Sequence, residues 1–188
     1  MTAKTVLPLL LLAASTAACK KTDDAKADPA TKGIEAPAKP AAAPAWKKVA
    51  SMGIEVQVPA DADVQDNTAT AGFPSSTIYF TDGTPTTFIM GAKDLNDSLT
   101  LSKDLDSTKV RIQKEMNGFK AFTKEEKTGD GFVLRYSGAS MTDPKEALYG
   151  VTIRSSVAGL TLDCETNASS EAEIAKTVAV CKTIRAAK

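Results

Sequence analysis

Histidine is absent from the 188 residues, and that alone removes Ser-His-Asp and Cys-His nucleophile pairs and imidazole-ligated metal sites. Aromatic residues are scarce at 5%, with a single tryptophan. Neither charge sign is in excess, since 23 Lys+Arg balance 23 Asp+Glu, so the electrostatic footprint of a nucleic-acid binder is missing and no nucleic-acid partner is expected. No apolar run reaches the roughly 20 residues that a membrane-spanning helix needs. The chain also lacks G-x-S-x-G, P-loop and G-x-G-x-x-G motifs and any cysteine spacing of a zinc site. Neither an enzyme nor a bound cofactor or metal is therefore expected.

What is present begins with an export signal. Residues 1–18 carry one early positive charge, Lys4, then an apolar run from Val6 through Leu12, then small residues to Ala18, the outline of a secretory signal peptide. Thr16-Ala17-Ala18-Cys19 resembles the lipobox of bacterial lipoproteins, with Thr16 in place of the usual larger aliphatic residue. The resemblance implies cleavage before Cys19 and acyl chains on that cysteine, which would anchor the protein to a membrane. An ordinary signal peptide with an incidental cysteine is the alternative. Lys20 rather than Asp after the anchor favours, by the same resemblance, the outer membrane, facing the periplasm or the cell surface.

Residues 19–45 hold the anchor and an Ala/Pro/Lys-rich segment punctuated by Pro29, Pro37, Pro40 and Pro44. Such a composition cannot bury enough apolar area to offset the entropy of ordering it, so a disordered, semi-extended tether is expected. Residues 46–188 are long enough for one domain with one core. Trp46, at the junction, is expected to seal the edge of that core.

Strand signals dominate the domain. Ile54, Val56 and Val58 alternate with Glu55 and Gln57, and Thr77 to Thr81 turns through Asp82-Gly83 into Thr86 to Ala92 as a hairpin. Phe119 to Lys127 with Gly131 to Ser137, and Leu148 to Ser156 with Leu160 to Glu165, read as two further hairpins. Two stretches have helical spacing instead. Leu101, Leu105, Thr108, Ile112 and Met116 form one stripe; Ile174, Val178, Cys181 and Ile184 form another behind the capping box Ser170-x-x-Glu173. Cys164 continues the inward alternation of Leu160 and Leu162, and Cys181 lies on the apolar stripe of the last helix. In an exported domain these two thiols are expected to pair as a structural disulfide closing a loop of about 18 residues.

This order of elements, from Gly53-Ile54-Glu55-Val56-Gln57-Val58-Pro59 through Gly118-Phe119 to Cys181-Lys182-Thr183-Ile184-Arg185, resembles the Mog1/PsbP-like (DcrB-like) domains of small bacterial lipoproteins. The resemblance implies an α+β fold, a mostly antiparallel β-sheet flanked by helices in an α-β-α sandwich, and a non-catalytic accessory, assembly or binding role. A cystatin-like or NTF2-like domain is the alternative. Asp104, Asp106, Thr108 and Glu115 mimic a calcium loop, but Lys109 occupies the position that needs glycine, so they read as a solvated helix face. The irregular stretches 66–76, with exposed Phe73, and 138–145, with Met141 and Pro144, are the candidate binding loops. The resulting expectation is a lipid-anchored, non-enzymatic envelope protein that presents a recognition domain, with an envelope protein as partner. The rival expectation is a carrier of a small apolar ligand in a pocket between sheet and helix.

Overall fold

A computed structural model describes residues 42–188 other than Leu99 and Met141. The expected signal peptide, Cys19 and most of the expected tether lie outside the described residues, as does Met141. Regular structure starts two residues before Trp46, with strand β1 (Pro44–Val49), and continues through β2 (Ile54–Pro59), β3 (Asp63–Asp66), the short helix α1 (Thr68–Ala71), β4 (Ser75–Tyr79) and β5 (Thr87–Ala92). Helix α2 (Leu105–Glu115) follows, then β6 (Ala121–Lys127), β7 (Phe132–Ala139), β8 (Ala147–Val157), β9 (Leu160–Ala168), helix α3 (Glu171–Cys181) and β10 (Arg185–Ala186).

Every strand pairing is antiparallel. Seven strands form the main sheet in the order β3-β4-β5-β9-β8-β7-β6, and β1-β2-β10 form a smaller one. Period-two alternation then divides the main sheet into two faces. On one face Val133, Val151, Ile153, Leu162, Cys164, Ile78 and Ile89 meet Ile174, Val178 and Cys181 of α3 and Val49, Ile54, Val56 and Val58 of the small sheet. On the other, Phe132, Leu134 and Tyr136 meet Leu105 and Ile112 of α2. The fold is thus α+β, with the sheet held between α2 on one side and α3 with the small sheet on the other. The expected sheet flanked by helices is what forms.

Both long helices start at reciprocal caps. Ser170 Oγ accepts from the Glu173 amide while the Glu173 carboxylate accepts from the Ser170 amide; Asp104 and Ser107 do the same for α2. The α2 cap shortens the helix that the stripe predicts, leaving Leu101 buried in the approach to it rather than in its first turn.

Three local expectations change. The stretch 66–76, read as irregular, contains the last residue of the edge strand β3, all of α1 and the start of β4. The last helix stops at Cys181, short of the Ile184 to which its apolar stripe runs, and Arg185 belongs to a strand. The Thr183 hydroxyl accepts from the Gln57 amide, which draws the chain alongside β2. Arg185 then stacks 3.5 Å from the Trp46 ring centroid and reaches the buried Glu55 at 2.8 Å. Trp46, 40% exposed, therefore clasps the C-terminal strand instead of sealing the core.

Gly150 in β8 is forced by close approach. A Cβ there would stand 2.1 Å from Tyr136 Cε2 and 2.7 Å from Asn167 Oδ1, because the Tyr136 ring leans across β8 beneath α2. Gly150→Ala is expected to cost about 1–3 kcal/mol, as overpacking does in a buried layer, read as a lower urea midpoint. An unchanged midpoint would mean the ring swings aside freely.

Candidate functional site

On the α2 face the strand register lays side chains out in rows. One row runs Thr77, Phe88, Glu165, Thr152, Leu134; its neighbour runs Ser75, Met90, Asp163, Arg154, Phe132. Helix α2 covers the β7 end of these rows. Toward β4 and β5 the face opens, and Phe88 is 49% and Tyr79 44% exposed.

Two ion pairs sit where cover gives way to opening. Arg154 and Asp163, directly opposed across β8 and β9, form a two-point pair with both N···O distances at 2.7 Å. Arg154 also donates to the Ser102 carbonyl at 2.8 Å and lies 4.9 Å from the Phe132 ring centroid. Both side chains are buried. Every strong hydrogen-bonding group of the pair is engaged, so this pair is structural.

Arg111 and Glu165 form the second pair. Arg111, projecting from α2, donates through Nη2 to Glu165 Oε1, which also accepts from Thr152 Oγ1 at 3.1 Å. Nη1 of Arg111 reaches the exposed Glu115 at 3.4 Å, so one guanidinium is shared between two carboxylates. Among the described residues no hydrogen bond reaches Glu165 Oε2, and the side chain keeps 16% exposure. Burial lifts the Glu165 carboxyl above the usual glutamate range, and Arg111 offsets only part of that. Tyr136, beside them, is pushed up to about 12 by burial and then by the Glu165 charge.

A cleft of about 450 Å³ opens from this pair. Its floor is Thr77, Phe88, Met90 and Glu165; Ala71 and Phe73 bound one side and Arg111 the other. Behind it, under the last turn of α2, a smaller hollow of about 170 Å³ shares Arg111 and Glu165 and reaches Tyr136 and Asn167. Ahead of it, a hollow of about 620 Å³ shares Ala71 and Phe73 and runs to Lys93 and Asp97.

Of the residues singled out by sequence, Phe73 is half-buried rather than exposed, and it lines two of these hollows. Pro144 is exposed in the turn between β7 and β8, apart from all three hollows. Cys164 and Cys181 are bonded, with Cα atoms 6.0 Å apart, on the opposite face of the sheet. Asp104 caps α2, and Asp106 and Glu115 lie within it. Among the described residues no group of three or more Cys, Asp or Glu is placed to hold a metal ion, and no helix is long and apolar enough to cross a membrane. The sequence reading passed over Arg111, Glu165 and Phe88.

No family model matches the chain, and no curated protein matches it. Among solved structures the chain is similar to the solution structure of cyanobacterial PsbP (CyanoP) from Synechocystis sp. PCC 6803, with 9% sequence identity and a TM-score of 0.49 over 82% of this chain and 96% of that chain. At that identity no residue's role passes from one chain to the other.

Proposed function

We propose that the protein is a non-enzymatic lipoprotein of the cell envelope, anchored through Cys19 and held off the membrane by the residues between Cys19 and β1, whose domain offers the open half of its main sheet for recognition. The observation that carries the recognition half is the cleft flanked by exposed Phe88 and Tyr79 on a strand surface that the helices leave uncovered. Within the cleft Asn67 Nδ2 donates to Thr77 Oγ1 at 2.7 Å, and at its acidic end Glu165 accepts from Thr152 and Arg111. The second reading, a small-ligand carrier, is favoured by the same cleft, since it lies between the sheet and Arg111 of α2.

Detergent phase separation tests the anchor. The full chain is expected in the detergent phase and its Cys19→Ser variant in the aqueous phase; equal partitioning of the two would remove the anchor from Cys19. A photoreactive phenylalanine analogue at position 88, compared with one at the equally exposed Val110 of α2, tests the surface in intact cells. Adducts specific to position 88 are expected, and identical patterns from both positions would place recognition elsewhere.

A further inference from the structure

We infer that the cleft between Phe73, Phe88 and Arg111 binds a small amphipathic amine, its ammonium group on Glu165 Oε2 and its aromatic or aliphatic body against Phe88, Phe73 and Met90. The inference rests on the reading of the cleft as the recognition surface and specifies what it recognises.

Three features converge on that chemistry. First, the acidic end is underpaired. Among the described residues Arg111 is the single cation paired with Glu165 and Glu115, so this cluster of three carries one more negative than positive charge, and Glu165 faces the cleft with Oε2 unengaged. A carboxylate held back by burial gains more from an added cation than one in water does. Second, an aromatic face is placed beside it. Phe88 stands directly opposite Glu165 in the β5–β9 pairing, half-exposed, so an ammonium on the carboxylate lies next to the ring's negative face. The protein's own Arg154 and Phe132 use the same geometry one row away. Third, Ala71, Phe73 and Met90 give the cleft apolar walls beside the neutral polar Asn67, Ser75 and Thr77, and about 450 Å³ accommodates a compact small molecule. Arg111 already holds two carboxylates and its one unpartnered nitrogen, Nε, is buried, so an anion would approach against two negative charges, whereas an ammonium displaces nothing.

The probe is 2-phenylethylammonium, with 3-phenylpropionate and 2-phenylethanol as anionic and neutral comparators of the same shape, titrated calorimetrically into the full chain in nonionic detergent. Partitioning into micelles is common to all variants and cancels between them. Saturable binding of the amine is expected, weakened about ten-fold by Glu165→Gln, the loss of a charge-assisted hydrogen bond, and about three-fold by Phe88→Ala. Phe88 is exposed, so that variant keeps its fold even where Glu165→Gln disturbs the sheet. Equal binding of the propionate or the alcohol, indifference to both substitutions, or no amine binding at high millimolar concentration would each overturn the inference. Detergent partitioning and position-88 adducts stand apart from these outcomes, so anchor and surface can hold while the amine fails.

Discussion

Replacing Asp163 by alanine is expected to destabilise the domain by about 3–5 kcal/mol, the cost of leaving one member of a buried ion pair without the other. Asp163 has no exposed surface and Arg154 keeps only 5%. After the substitution the guanidinium retains the Ser102 carbonyl and the Phe132 ring, neither of which neutralises its charge. Urea denaturation monitored by far-ultraviolet circular dichroism reads the loss directly. The double variant Arg154→Met with Asp163→Leu provides the contrast. Because solvation given up by both charges is large, apolar side chains of similar volume are expected to recover most of the stability. A loss below about 1 kcal/mol in Asp163→Ala would mean that water reaches the pair and that it behaves as a surface ion pair. The effect extends past the pair, since the Ser102 carbonyl lies two residues before the Asp104 cap and Arg154 thereby fastens the entry to α2.

That pair also marks the limit of what the sequence discloses. Along β8, Val151 and Ile153 alternate with Thr152 and Arg154, and along β9, Leu162 and Cys164 alternate with Asp163 and Glu165. Such alternation reads as a sheet with one wet face. The polar face is in fact covered by α2, and its charges are buried because they meet across the strands in register. Register is a long-range property, set by turns and pairing rather than by local pattern. One local signal did point to two-sided burial: in β7, Phe132, Leu134 and Tyr136 on one face and Val133 on the other are all buried, and the apolar stripe of α2 needed a surface to cover.

Where the signal was local, the reading carried. The Ser170–Glu173 box starts α3, and the Val157-Ala158-Gly159 turn joins β8 to β9 with Ala158 and Gly159 both at positive φ, as a tight hairpin demands. Where it depended on a distant partner it failed. The two residues of β10 and the four of β3 are too short to show a period, and each exists because β2 or β4 offers an edge. The cleft belongs to the same class: Phe73, Phe88, Arg111 and Glu165 come from four separate elements or loops, and no spacing in the chain announces that they meet.

Removing the Cys164–Cys181 bond is the other change with a large expected effect, about 3 kcal/mol from the chain entropy that a closed loop of this length withholds from the unfolded state. The sequence separation is 17, and the loop contains the end of β9, the Ser170 cap and all of α3. Cys164 lies between Ile89 and Ile153 in the strand register, so Cys164→Ala with Cys181→Ala also removes packing. The reduced wild type separates the two contributions, because it retains both sulfurs. Equal losses for the two forms would assign the effect to the cross-link, and a larger loss for the double variant would add a cavity cost. Both sulfurs belong to residues no more than 5% exposed, so a thiol reductant is expected to act slowly on the native domain and quickly in urea. Without the bond, amide exchange should rise first along α3 and in Arg185–Ala186, which the bridge holds to the sheet through Cys181. Rapid reduction of the native domain would instead give the pair an accessible, exchangeable role, and a loss under about 1 kcal/mol would leave Ile174, Thr177 and Val178 as the contacts that hold the helix in place.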